Sequence, residues 1–163
     1  MQDMGIRITT TASELNVFFS EALSIYKEYL LKALAKLGEE CTVRIRNRSA
    51  KESWIDHTGN LRSSIGYAVY NTGKKFLESM CPQVLNGIEG SSKAKSMIAD
   101  LAKEYSKVYA LVVIAGMEYA SNVEDIDGKD VLASTKIWAT SILEKRLKTA
   151  IDNAVLQINK LKI

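Results

Sequence analysis

The chain has one histidine, His57, set between Asp56 and Thr58. An imidazole beside an acid can serve as a general base, but a hydrolase also needs a nucleophile and an orienting acid nearby in space. No Gly-x-Ser-x-Gly elbow or similar framing accompanies it, so His57 reads as a turn or surface residue. Asp125, Asp127 and Asp130 surround Gly128. Their spacing departs from that of a calcium loop, and no closing Glu falls between Ala133 and Trp138, so a solvated turn is expected. Asn71-Thr72-Gly73-Lys74-Lys75 lacks the Walker spacing of a phosphate loop. Cys41 and Cys81, with one His, fall short of the four ligands of structural zinc. They are expected as free thiols of a reducing cytosol. No catalytic, metal or cofactor-binding residue is assigned.

The strongest charge feature is Arg44, Arg46 and Arg48, alternating with Val43 and Ile45, with Lys51 close by. Period two is the mark of a strand, here with one apolar and one basic face. Three charges within about 14 Å could follow a phosphate backbone without reading its sequence. The plainer reading, and the favoured one, is a solvated edge strand whose charges block unwanted pairing. No RNA-type aromatic pattern accompanies the arginines.

A chain of 163 residues fits one domain, residues 1–163. With 47% hydrophobic and 25% charged residues it should bury a core of its own. The net charge of +3 does not demand nucleic acid. Met1 to Ile8 has no basic stretch followed by an apolar one, and Val108–Ala115 is far shorter than the ~20 residues of a membrane span, so a cytoplasmic protein is expected.

Thr11 and Glu14 have capping-box spacing. Leu15, Phe18, Phe19, Ala22, Tyr26, Tyr29, Leu30, Ala33 and Leu37 then repeat as in a helix, which Gly38 is expected to end. Thr58-Gly59-Asn60 signals a turn, with one helical turn possible over Leu61–Ser64. A strand is expected from Ile65, ended or bent at Asn71-Thr72-Gly73. Met80–Ser92 reads mainly as loop and Ala94–Tyr105 as helix. Val108–Ala115 reads as a strand buried on both faces. A short strand at Val131-Leu132 and a last helix capped by Ser134 are expected to follow. The fold class is α+β: a small antiparallel sheet of Val43–Arg48, Ile65–Phe76 and Val108–Met117. Long N- and C-terminal helices pack it, with a helical insertion between the two central strands.

Two segments stand out. One carries Thr58, Gly59, Leu61, Arg62, Ser64 and Ile65; the other carries Tyr119, Ala120, Val123 and Glu124. Together they resemble the tail-completion or neck (head–tail connector) proteins of long-tailed, double-stranded DNA bacteriophages. In that family a Thr-Gly-x-Leu-Arg-x-Ser-Ile stretch precedes one strand and a Tyr-Ala-x-x-Val-Glu stretch follows another. The chain departs from the pattern at Asp125-Ile126, where the family often has Phe-Gly, and at Ala133–Trp138, where it often has a proline-flanked entry to the last helix.

The resemblance implies a non-catalytic virion protein, assembled in the host cytoplasm as a homo-oligomeric ring, with six the expected number of subunits, between the portal side of a head and the tail tube. Its partners would be itself and the adjoining head-closure, adaptor and tail-tube proteins, without a membrane. Arg44, Arg46 and Arg48 would then be candidates to face passing DNA in the lumen. Arg62 is expected to pair with a carboxylate, with Glu124 the first candidate. The alternatives are a small non-specific nucleic-acid-binding module and, less favoured, a hydrolase using His57.

Overall fold

The computed structural model describes residues 9–51, 53–126 and 129–161. The order is α1 (Ala12–Arg46), α2 (Asn60–Ser63), β1 (Ile65–Asn71), β2 (Lys74–Glu78), α3 (Ile88–Leu101), β3 (Tyr109–Ala115), α4 (Ala120–Glu124) and α5 (Ala133–Ile158). The three strands form an antiparallel sheet in the order β2-β1-β3, so the architecture is the expected α+β.

β1 is the central strand and six of its seven residues are buried. Tyr67 and Val69 face α1 and α5, together with Leu31, Leu34, Leu143 and Leu147. Ala68 and Tyr70 face α3, against Ala94 and Ile98. The Tyr70 hydroxyl donates to the Ile98 carbonyl at 2.5 Å and its ring stacks on Tyr105. α1 and α5 pack antiparallel: Arg48 near the end of α1 meets Ser134 at the start of α5, and Glu40 meets Arg146 further along.

Thr11 and Glu14 form the expected capping box, but α1 does not stop at Gly38. A Cβ at Gly38 would lie 2.4 Å from the Tyr67 ring and 2.8 Å from Leu111. The glycine therefore lets the helix press onto the sheet, and a close approach explains it better than termination. α1 continues to Arg46, so the expected strand at Val43–Arg48 does not exist. Cys41, Thr42 and Ile45 are buried and Val43 is exposed, which is a helical pattern. Over so few residues an alternation of apolar and basic types does not separate the two periods.

Ile65–Phe76 is a hairpin, not one strand: β1 and β2 turn at Thr72-Gly73, with an irregular register between Val69 and Tyr70. α3 begins at Ile88, inside the stretch read as loop, and ends at Leu101, short of Tyr105. β3 is an edge strand whose two faces both pack, Ala110, Val112 and Ile114 toward α3 and Leu111 and Val113 toward α1 and α5, but it is only half-buried along most of its length. Val131-Leu132 is not a strand; Leu132 flanks α5. No helix among the described residues is long and apolar enough to cross a membrane.

Candidate functional site

The two singled-out segments meet. β1 begins and β3 ends at the same end of the sheet, where Ile65 pairs with Ala115. The Gly116 N–H donates to the Ser64 carbonyl at 3.0 Å. Leu61 and Ile65 of the first segment and Ala120 of the second share one buried cluster with Ile45, Trp54, Met117 and Val131, and Val123 packs against it. Tyr119 stands at the rim, half-exposed. Burial pushes its phenol up, and the carboxylates of Asp56 and Glu89 push it the same way.

The first turn is built around Asp56. Its carboxylate accepts from the backbone N–H of Gly59 and of Arg62, both at 3.0 Å, and so caps the short α2. Thr58 accepts from the Asn60 N–H at 3.3 Å. Gly59 has φ +81°, and a Cβ there would lie 1.9 Å from the Val84 carbonyl oxygen. The position needs glycine twice over, for its left-handed backbone and for the chain that crosses it. That crossing segment is pinned by the Val84 N–H, which donates to Ser63 Oγ at 2.8 Å. The buried Ser64 hydroxyl donates to the Leu61 carbonyl.

Arg62 and Glu124 do not form the expected pair. The Arg62 guanidinium donates to the carbonyls of Arg46 and Arg48, where α1 ends. It lies over the Trp54 ring at 5.5 Å and within 3.9 Å of Asp56. Glu124 accepts from the backbone N–H groups of Val131, Leu132 and Ala133, at 3.1, 2.7 and 3.0 Å, where α5 begins. Each charge thus sits at the helix end whose dipole it complements, the cation at a C-terminus and the anion at an N-terminus. Glu124, helped by Asp130, which accepts from the Ser134 N–H at 3.2 Å, caps α5 in place of the Ser134 side chain.

The arginine row does not form one basic face. Arg48 is turned inward, with Nη1 2.9 Å from Asp130 Oδ1 and 2.7 Å from the Asp130 carbonyl, and Nη2 bonded to the hydroxyls of Ser134 and Thr135. Burial opposes ionisation of Asp130, but the Ser134 hydrogen bonds and the Arg48 guanidinium outweigh it and hold the carboxyl below its ordinary value of 3.8. Arg46 donates to the carbonyls of Ser63 and Pro82. Arg44 is exposed and lies over the Trp138 ring at 5.1 Å.

His57 is exposed in the first turn. Asp127 and Gly128 lie outside the described residues; of the other two aspartates, Asp125 is exposed and Asp130 is bound to Arg48. Cys41 and Cys81 are both free and buried, and burial pushes the Cys41 thiol up to about 11.

A second region went unread in the sequence. Between α1, β3 and the first half of α5 runs an apolar groove of about 660 Å³. Leu34, Leu37, Leu111, Val113, Leu143 and Leu147 line it, and Lys136 and Thr140 stand at its mouth. Beyond the sheet, the first half of α1 carries Leu15, Val17, Phe19 and Leu23 in exposed positions, with Phe19 62% exposed. The available signal was length. A 35-residue helix spans about 52 Å, while a seven-residue strand spans about 23 Å, so much of α1 has no sheet to cover.

The chain matches no protein-family model, no curated protein and no solved structure.

Proposed function

We propose that this protein is a non-catalytic virion component of a long-tailed, double-stranded DNA bacteriophage, completing the tail or joining it to the DNA-filled head as part of a ring of identical subunits. One observation carries the reading. The two segments that resemble the neck and tail-completion family, far apart in the chain, lie side by side at one end of the sheet and share a core. Their charged members are spent on holding α1, β1, β3 and α5 together, as suits a scaffold that must present fixed surfaces to neighbours.

A ring of identical subunits needs two different surfaces on each copy, meeting head to tail. Within this reading the protein resides in the virion, having been assembled in the host cytoplasm. The arginine row gives little support to a DNA-lined lumen or to a separate nucleic-acid-binding module, because Arg46 and Arg48 are bonded inward.

The test is deletion of the gene from the genome that encodes it, followed by electron microscopy of the particles produced. Filled heads and tails that fail to join, or tails of aberrant length, restored to normal by the gene in trans, are expected. Normal infectious virions from the deletion would overturn the proposal.

A further inference from the structure

The outer edge of β3 is an open row of hydrogen-bonding groups. The Gly116 N–H and the Val108 carbonyl bond to Ser64 and Thr72, at the two ends of β1. Alternation therefore turns the N–H and C=O of Tyr109, Leu111, Val113 and Ala115 away from β1. Among the described residues none of these outward groups is bonded. The opposite edge, β2, carries Lys74, Lys75, Glu78 and an irregular register, which discourage pairing. β3, Tyr-Ala-Leu-Val-Val-Ile-Ala, carries no charge. An undefended edge of this kind can take up an extended segment as a further strand.

The groove decides what kind of segment fits. α5 stands on the β3 side of α1, and its Leu132, Ala139, Leu143 and Leu147 line the groove with Leu111 and Val113. A strand added at the edge lies beneath α5. Its side chains on that face must be apolar, and every second one points away from the groove. β3 of a second copy does not fit there, because it arrives with side chains packed under helices on both of its faces.

Residues 4–8, which precede the described residues, carry the required pattern. Met4, Ile6 and Ile8 alternate with Gly5 and Arg7. They cannot reach the groove of their own chain. α1 is unbroken, and Thr11 lies about 28 Å along its axis from Leu30, the first of its residues to line the groove. The three residues from Thr11 back to Ile8 span at most about 11 Å. Charge sets the direction. Asp3 precedes Met4, and Lys136 stands at the groove mouth, without an ion pair among the described residues. Lys136 belongs to the first turn of α5, whose start packs near the Ala115 end of β3.

We infer that residues 4–8 of one copy add a fourth, antiparallel strand to the outer edge of β3 in a second copy, with Met4, Ile6 and Ile8 beneath α5 and Asp3 beside Lys136. Backbone pairing to Leu111 and Val113 supplies the attachment, and the apolar row sets the register. Donor and acceptor surfaces differ, so the contact is heterologous and repeats from copy to copy until it closes. The inference rests on the self-association in the proposed function and adds the surfaces that perform it.

The experiment uses the full chain, the variants Ile6→Asp and Ile6→Val, and a synthetic peptide of residues 1–9. Sedimentation over a range of concentrations sizes each protein, with thermal unfolding as a check that the fold is intact. The wild type and Ile6→Val should associate beyond a dimer, and Ile6→Asp should be monomeric. The peptide should bind the Ile6→Asp protein one to one, because the groove of that protein is intact, and should slow exchange of its Leu111 and Val113 amides. A peptide with Ile6→Asp should bind about tenfold more weakly or worse, since a carboxylate would enter an apolar site. Asp3→Lys and Lys136→Glu should each weaken association by about threefold at low salt, and the two together should restore it.

A wild type that stays monomeric throughout would overturn the inference. So would an oligomer indifferent to Ile6→Asp, and that second result would leave the ring reading standing. A peptide that fails to bind the Ile6→Asp protein, or that binds without slowing the Leu111 and Val113 amides, would also overturn it. Failure of the deletion test with the peptide result intact would sink the virion role but keep this contact.

Discussion

The turn cluster at the end of the sheet and the groove beside β3 are opposite in their use of chemistry. In the cluster, most charged groups are matched, although the buried Trp54 Nε1–H and Arg46 Nε–H have no partner among the described residues. Asp56 satisfies two backbone donors, Glu124 satisfies three, and Arg62 and Arg48 reach carbonyls and hydroxyls at the ends of α1 and α5. Away from it, large apolar side chains remain exposed on the first half of α1, and beside the groove β3 has no strand on its outer edge among the described residues. The lesson is that the residues most recognisable in the sequence hold the fold together, while the surface free to meet a partner is written in ordinary leucines and phenylalanines.

Substitutions should separate the two regions by what they damage. The largest effect is expected from Gly59→Val. It forces a β-branched residue into a left-handed backbone against the Val84 carbonyl and should cost about 4 kcal/mol or more, seen as loss of folded protein or a collapsed urea midpoint. Arg48→Met leaves Asp130 without its cation and should cost about 3 kcal/mol by urea unfolding. Glu124→Ala uncaps α5 and should cost about 2 kcal/mol, with Glu124→Gln recovering part of it.

The Asp130 carboxyl titrates lower in the folded chain than in the unfolded one. Its contribution is therefore complete above 3.8 and is lost as the pH falls through the lower, folded value. Asp130→Asn should flatten that acid limb of the stability curve, and an unchanged limb would place the titration elsewhere. At the small end, Phe19→Asp should shift stability by less than about 0.5 kcal/mol, because the residue stands clear of the core. A large loss of stability there would erase the distinction between the two regions.

Much of the fold was legible in the sequence because local signals and tertiary packing agreed. The Thr11–Glu14 box, the turn at Gly59 and the strand from Ile65 all hold for the reasons their residue types suggest. Misreadings came where a residue type serves two purposes. Gly38 ends helices in many chains, but here it makes room for Tyr67. An alternation of apolar and basic residues marks a strand, but Val43–Arg48 carries it within and just past the last turns of a helix. The two segments meet at one end of the sheet. The link expected between Arg62 and Glu124 was not found, because a helix end competes well for either charge and its position depends on elements distant in sequence. The groove left no local mark at all, since it arises from three elements packed with a gap between them.

Amide hydrogen exchange of the wild-type chain, followed as concentration takes it from monomer to assembly, tests this division most directly. Protection should rise over residues 4–8 and at Leu111 and Val113, and stay level over 57–65 and 119–124. New protection in the two turn segments, with Leu111 and Val113 unchanged, would contradict the account.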